Sequence, residues 1–499
     1  MPDERLNLAT MVAPGGYFLR RPTRESVPFT AQPRPGPYEH RFSYRDSDPS
    51  IRESAIDLIR GARRKIFLAS FRIGDAALLD ALFEAVERLR GGVYVITSWT
   101  DAGLRRGLAA LEDNPTADEA AQRHRFEELT RRGVFVRGHD QCHAKFLVVD
   151  DEAALVSSAN LETSALADRP HRKVTGESGV VLSDAAEVNR LARLFTRLWY
   201  AGCRHEARPG AEYALAPREP TASPTEPTLP EPGPRPGVIW THDDERLILR
   251  TVHDIVDRAR SELLLATFGL RGLTQHVDLL HERIAAARGR GVEVTLLCRG
   301  RNNIAEHRRE ATALAELGVR VVGDSLTHAK AAIADGRHGA LFSANFDSEH
   351  GLTSGVEVGV RLDGLPALAE ARRYLLHAID HADLTFAVGP TQARLDASFG
   401  AQWRRPWAGS RTVSVVADEA DWRALATATP PVLYAQRGDL TRLYANGGEW
   451  LLENGKLRIV RAPTRGGATL DLMNTWWGER DTAERRGFFP AELVRVSAT

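Results

Sequence analysis

The sequence predicts an α/β protein: two tandem αβα lobes, one fold used twice, followed by a small, mostly β domain. Three observations carry this. Short continuous apolar runs alternate with amphipathic helical stretches, the pattern of strands covered on both faces. The order of these runs is the same on either side of a Pro-rich stretch, residues 206–238. Beyond about residue 390, short alternating runs punctuated by turn residues take over.

Within the first copy, residues 51–64 have helical spacing and lead into the apolar run Ile66-Phe67-Leu68-Ala69-Ser70. A second amphipathic helix over 76–89 ends before Gly92 and the strand Val93-Tyr94-Val95-Ile96. The second copy has a helix over 247–260, the run Leu263 to Thr267, a helix ending near Gly291 and the strand Val292 to Thr295. Both continue with a helix, then Gly-Val-x-Val (from Gly133 and from Gly318), then His-Ala-Lys, and both close with a helix, 185–200 and 366–381. Such runs predict a largely parallel sheet in each lobe. In the last domain, strands are predicted around 413–416, 431–434, 449–452 and 457–460, with turns at Asn446-Gly447-Gly448 and Asn454-Gly455. Its ending, Gly487 to Val494, faintly resembles the closing strand of an SH3-like barrel; a capping domain with buried aromatics is the simpler reading. The expected boundaries are an N-terminal extension 1–45, lobes 46–205 and 239–390, a linker 206–238 of partial polyproline character, and the β-rich domain 391–499.

Composition narrows the function. A chain of 499 residues has room for several cores, and 66 basic against 66 acidic residues exclude a chain-wide polycationic coat. The three cysteines, Cys142, Cys203 and Cys298, are odd in number and fit no zinc spacing, so neither a disulfide scaffold nor a structural metal site is expected. No apolar run approaches 18 residues and the N-terminus has no signal-like layout, which makes the cytoplasm the expected compartment. Only five of the basic residues are Lys: Lys65, Lys145, Lys173, Lys330 and Lys456. A Lys at a special position therefore carries more information than usual.

Two of the five occupy matching places. The first copy contains His143-Ala144-Lys145, then Asp150, Ser158, Asn160 and Glu177; the second contains His328-Ala329-Lys330, then Asp335, Ser343, Asn345 and Glu357. The steps from His to Lys, Lys to Asp and Asp to Asn are identical. On a strand, His143 and Lys145 share one face while Ala144 points into packing. A hairpin after Asp150 brings Ser158 and Asn160 back to the same side. Each copy thus gathers an imidazole, an ammonium, a hydroxyl and a carboxamide: donors for phosphate oxygens, and a nucleophile or acid. A lone His-x-Lys is usually surface decoration; its duplication in register argues otherwise. Cys142, on the opposite strand face from His143, reads as a buried structural thiol.

These two segments resemble the phospholipase D superfamily, with its H-x-K-x-x-x-x-D signature followed by G-S-x-N and a Glu. There are departures: Ser157 and Phe342 replace the Gly of G-S-x-N, a Phe there crowds the turn before Ser343, and the Asn-to-Glu interval differs between copies. The resemblance implies one active site at the interface of the lobes, complete within a monomer, and phosphodiesterase chemistry without a metal. His143 would attack phosphorus to give a phosphohistidine, and His328 would protonate the leaving oxygen and then activate water or an alcohol. Lys145, Lys330, Asn160 and Asn345 would hold the non-bridging oxygens, assisted by Ser158 and Ser343. Glu177 and Glu357 would orient the imidazoles. Asp150 and Asp335 belong to the same signature and are expected to brace the hairpin.

Three substrate readings compete. Nucleic acid is favoured, on the basic stretch Arg299, Arg301, His307, Arg308 and Arg309 after a strand end, where loops commonly line sites. Phospholipid, in a phospholipase or phosphatidyl transferase, needs the same catalytic set. An inactive binding protein fits poorly with two intact His-Lys pairs.

Overall fold

The computed structural model describes residues 4–5, 15–21, 27–32, 34–45, 47, 50–98, 127–167, 174–208, 214–302, 304–399, 411–426, 433–437, 440–445, 448–461 and 488–496. The repeat read from the sequence is a repeat of topology. In the first lobe the central strands run, side by side, Phe135–His139, Val93–Ser98, Ile66–Ala69, Phe146–Val149, Ala153–Ser157, Val174–Leu182 and Tyr38–Arg45. In the second they run Arg320–Asp324, Glu293–Arg299, Glu262–Thr267, Ala331–Ala334, His338–Phe342, Glu357–Arg361 and Gly237–His242, which is the same order.

The expectation of a largely parallel sheet needs correction. In each lobe's main sheet the three strands joined by helices are parallel, and the other pairings among the described strands of that sheet are antiparallel. Helices cover both faces, so an antiparallel strand here carries the same continuous apolar run as a parallel one. Phe146–Val149 and Ala331–Ala334 are buried at every position. The direct hairpin return sets the direction. Its corner is Asp150-Asp151 in one lobe and Asp335-Gly336 in the other, all with positive φ between 53° and 63°, the conformation that a tight two-residue turn requires.

Helices fall close to where the spacing puts them: Ser50–Gly61, Ala76–Arg88 and Ala185–Arg197 in the first lobe, Leu247–Arg258, His281–Gly289 and Pro366–Asp380 in the second. Asp75 and Asp184 start two of them by accepting the free backbone N–H groups of the first turn. The helix expected to reach residue 200 ends at Arg197 and continues as a π-turn, Leu198–Gly202.

The N-terminal stretch is distributed among the sheets. Tyr38–Arg45 closes the first, Gly16–Arg20 pairs with Leu384–Val388 in the second, and Glu4–Arg5 pairs with Phe488–Arg495 in the third. The linker likewise begins as structure: His205–Arg208 and Ala214–Pro217 extend the first sheet from its edge at Arg137-Gly138. Its remaining part, before Gly237, has no regular pairing.

The third sheet comprises the described strands Arg411–Val415, Leu433–Arg437, Leu440–Ala445, Gly448–Glu453, Lys456–Arg461 and Phe488–Arg495, with the helix Glu419–Ala426 packed beside it. Trp422 and Trp450 are buried there, and the Trp450 indole N–H donates to Asp421 at 3.0 Å. Residues 446–447, 431–432 and 487 lie outside the described residues.

The two lobes share one hydrophobic core. Phe29 and Tyr44 of the N-terminal half pack edge-on against Tyr374, and Phe42 packs edge-on against Phe29 and tilted against Tyr374. Beside them Arg45 of the first lobe meets Asp324 of the second at 2.5 Å, a pair largely withdrawn from water. This interface positions the site.

Candidate active site

His143 and Lys145 lie in an extended lead-in just before the strand Phe146–Val149, and His328 and Lys330 sit equivalently before Ala331–Ala334. The spacing predicts them on the strands; they lie just before them instead. What keeps them extended is the other lobe. Cys142 bridges Val356, and the His143 amide donates to the Val356 carbonyl at 3.0 Å. In the mirrored half Thr327 bridges Gly176, and the His328 amide donates to the Gly176 carbonyl at 2.7 Å. Each imidazole is thus carried by one lobe and stitched to the segment before the glutamate of the other.

The side chains follow the backbone. His143 Nδ1–H donates to Glu357 Oε1 at 2.8 Å, and His328 Nδ1–H donates to Glu177 Oε1 at 2.9 Å. Each imidazole is paired with a glutamate across the interface. Both Nε2 atoms are thereby left as acceptors. Glu177 and Glu357 are buried and held as carboxylates. Burial opposes that charge, but the facing imidazole, the lysines and the Ser hydroxyl outweigh it and bring Glu177 down to about 2.

Ser158 donates to Glu177 Oε2 at 2.6 Å, and Ser343 donates to Glu357 Oε2. Each Ser oxygen also accepts the backbone N–H following that Glu, Ser178 or Val358, at 3.0 Å. These hydroxyls therefore hold the carboxylates. Thr175, which the motif does not name, adds a third hydrogen bond to Glu177 at 2.8 Å.

The lysines are buried and unequal. Lys330 Nζ donates to His328 Nε2 at 3.0 Å, whereas Lys145 Nζ donates to the His143 carbonyl at 2.5 Å. Burial lowers both ammonium pKa values, Lys145 to about 8. It also lowers both imidazoles, His328 to about 3, with Lys330 and Lys145 adding to the effect and Glu177 opposing it. Lys145 acts on His328, and Lys330 acts on His143, so the two half-sites share one electrostatic field.

Asn160 and Asn345 each have a buried carboxamide oxygen without a hydrogen-bond partner. Turning the amide over places its NH2 there instead, a donor suited to an oxyanion. The substitutions at the G-S-x-N glycine are accommodated from the neighbouring strand. Ser157 faces Gly179 and Phe342 faces Gly359, and a Cβ on Gly359 would lie 2.6 Å from Phe342 Cβ. Phe342 therefore packs into the core without displacing Ser343.

Asp150 and Asp335 lie away from the chemistry. Asp150 accepts the backbone N–H groups of Arg63, Arg64 and Lys65 at 2.5–2.9 Å, and Asp335 those of Arg260, Ser261 and Glu262 at 2.9 Å. Both are braces between the hairpin corner and the start of the first strand. Both carboxylates are engaged with the main chain.

The basic stretch of the second lobe is divided. His307 is buried, with Nδ1 accepting the Leu270 N–H and Nε2 donating to the Arg299 carbonyl. Arg308 is buried over the Tyr17 ring, and Arg309 pairs with Glu306 and Glu310. Only Arg299 and Arg301 reach the site. Around one ring, that of Phe268, stand the His328 imidazole (4.7 Å between centroids), Lys330 Nζ (5.6 Å) and the guanidinium carbons of Arg299 (5.6 Å) and Arg301 (3.7 Å). Phe71 occupies the equivalent place, 5.3 Å from His143 and 5.9 Å from Lys145 Nζ. The motif does not contain these two walls. The repeat did: Ala69-Ser70-Phe71 and Ala266-Thr267-Phe268 end the same strand of each lobe.

Two His-Lys-Asn half-sites, one from each copy of the lobe, facing a common interface define an enzyme of the phosphodiesterase class. The chain belongs to the phospholipase D superfamily. The family model described as cardiolipin synthase, PLD-like domain, matches residues 55–199 and 252–378, more than half of the chain. Among curated proteins none matches. Similar solved structures include phosphatidylserine synthase of Haemophilus influenzae Rd KW20 (14% identity, 70% of this chain and 87% of that one, TM-score 0.49). They also include polyphosphate kinase of Porphyromonas gingivalis (15%, 66% and 47%, TM-score 0.40). A third is the phospholipase D family member Nuc of Salmonella typhimurium (23%, 30% and 94%, TM-score 0.26). At such identities and TM-scores, none of the three bears on what this chain binds. Among the described residues no helix is long and apolar enough to cross a membrane, and no group of His, Cys, Asp or Glu is arranged to hold a metal ion.

Proposed function

We propose that the protein cleaves or transfers phosphodiesters through a phosphohistidine on His143, with His328 as acid and then base. The observation that carries the assignment is the inequality of the two Nε2 atoms. His328 Nε2 accepts a hydrogen bond from Lys330 Nζ at 3.0 Å, whereas Lys145 is turned to a backbone carbonyl, leaving the His143 Nε2 lone pair unengaged by its lysine. A neutral imidazole with its Nδ1–H fixed on Glu357 is a nucleophile in the required tautomer.

In the first step, Nε2 of His143 forms a bond to phosphorus as the bond to the leaving oxygen breaks. That oxygen takes a proton from Nε2 of His328, and the proton reaches His328 from solvent as the phosphate anion enters. In the second step, water or an alcohol attacks phosphorus and gives its proton to His328. The P–N bond breaks and its electron pair returns to His143. Lys145, Lys330 and the carboxamides of Asn160 and Asn345 stabilise the negative charge on the non-bridging oxygens.

For substrate, a phospholipid-class diester is the favoured reading, supported by the description of the matched family and by the absence of the expected basic track, since His307, Arg308 and Arg309 are engaged elsewhere. Nucleic acid is the second reading, and Arg299 with Arg301 is what supports it. The test is chemical trapping. With bis(p-nitrophenyl) phosphate, His328→Ala should accumulate a phosphorylated His143 detectable by mass spectrometry, and His143→Ala should not. An adduct on His328, or turnover of either variant above a few per cent of the parent, overturns the assignment. Parallel incubation with labelled DNA, RNA and phosphatidyl lipids then decides the substrate class.

A further inference from the structure

Arg301 stands out among the cations of the site because, among the described residues, nothing anionic faces it. Its guanidinium carbon lies 3.7 Å over the Phe268 ring, and it is half-buried. Among the described residues no carboxylate pairs with it. Burial, and after it the neighbouring cation Arg299, lowers its pKa to about 10. Arg309, eight positions on, has Glu306 and Glu310, and Arg308 is packed on Tyr17. A half-buried cation beside a second cation is unfavourable unless a ligand supplies the missing charge. The edge of the same Phe268 ring meets the His328 imidazole, so Arg301 and the proposed proton donor are neighbours on one wall. The first lobe is built differently: at Phe71 the corresponding cation is Arg72, at 5.7 Å.

We infer that Arg301, flanked by Arg299 and stacked on Phe268, is a specificity residue that recognises a second phosphate group of the substrate, on the leaving-group side of the scissile bond. The placement on that side rests on the proposed role of His328 as acid. The core Lys-Asn set serves the phosphate under attack, and Arg301 serves the next one. A guanidinium fixed in its plane by an aromatic ring presents a paired N–H edge to a phosphate, which a free lysine does not. Two kinds of substrate carry such a second phosphate: a diphosphate, in which the leaving group is itself a phosphate monoester, and a polymer, in which the next diester follows within one sugar.

The test is calorimetric titration of the full-length protein with inorganic phosphate, pyrophosphate and 1,3-propanediol bisphosphate, so that it does not depend on turnover. The parent protein should bind one of the two-phosphate probes at least about tenfold more tightly than phosphate, the difference that one charge-assisted hydrogen-bonded pair supplies. Preference for pyrophosphate indicates the diphosphate source, and preference for the bisphosphate indicates the polymer. In Arg301→Ala the ratio should fall to within about threefold, in Arg301→Lys it should be intermediate, and in Arg309→Ala it should stay at the parental value. Thermal melts of each variant separate unfolding from a lost contact. A parental ratio near one, or a ratio unchanged in Arg301→Ala, overturns the inference. If the trapping experiment finds no adduct on His143 while the Arg301-dependent ratio persists, the catalytic assignment fails and the second-phosphate site stands.

Discussion

Glu357 belongs to the second lobe, yet its carboxylate accepts the Nδ1–H of His143 in the first, 214 positions earlier in the chain, at 2.8 Å. The reciprocal pair, Glu177 with His328, spans 151 positions. Neither lobe alone holds an oriented imidazole.

That exchange gives the two glutamates separable kinetic signatures. Glu357→Gln should slow the first-turnover release of p-nitrophenol by roughly 10²–10³-fold, because it misorients the nucleophile whatever the leaving group. Glu177→Gln acts through the proton donor. Its first-turnover loss should be small for p-nitrophenolate, which leaves unaided, and on the order of 10²-fold or more for an alkyl alcohol. Rapid-quench measurements with both leaving groups check this; equal losses for Glu177→Gln on the two would count against His328 as acid.

Chelation should leave turnover intact. Lys145 and Lys330 put two buried ammonium groups beside the imidazoles, supplying the positive charge that a divalent ion supplies elsewhere. Bis(p-nitrophenyl) phosphate hydrolysis after dialysis against EDTA is the measurement. Full loss of activity, restored by a divalent ion, would contradict the prediction.

Asp150→Ala and Asp335→Ala should lower stability and leave kcat within a few-fold of the parent. Each removes a carboxylate that accepts three successive backbone N–H groups, leaving them to solvent or unpaired, at a cost of about 1–3 kcal/mol. Denaturant melts paired with initial rates distinguish this from a catalytic role, in which kcat would collapse while stability held.

His307 predicts a pH dependence of stability. Its Nδ1 accepts a backbone N–H and its Nε2 donates to a backbone carbonyl, so only the neutral ring fits, and burial brings its pKa from the usual 6.5 to about 4. The unfolded chain therefore binds the proton more readily. The stabilisation is fully present above pH 6.5 and is lost as pH falls through about 4, on the order of 3 kcal/mol. Other buried histidines titrate in the same direction, so the readout is a difference. The melting temperature of the parent should fall more steeply between pH 6.5 and 4 than that of His307→Gln. Parallel curves would show that this ring does not govern the loss.

Much was legible without coordinates. The helices, the strand cores and the duplicated register of His143, Lys145, Asp150 and Asn160 with His328, Lys330, Asp335 and Asn345 follow from periodicity and fixed spacing along one chain. These are local properties: a side chain's face on a strand or helix depends on residues a few positions away. Even the bracing role of the two Asp residues was within reach, because a hairpin corner lies next to the strand it returns along.

Only the tertiary structure decided which glutamate serves which histidine, and that the two Ser hydroxyls hold carboxylates. It also decided that Gly179 and Gly359 make room for Ser157 and Phe342, and that Gly16–Arg20 completes the sheet of the far lobe. It separated Arg301, stacked on Phe268, from Arg308 and Arg309, which look equivalent in the sequence. The physical reason is common to all of these. Each depends on contacts between segments tens to hundreds of residues apart, fixed by how two lobes bury one apolar interface. Spacing along the chain does not encode that docking.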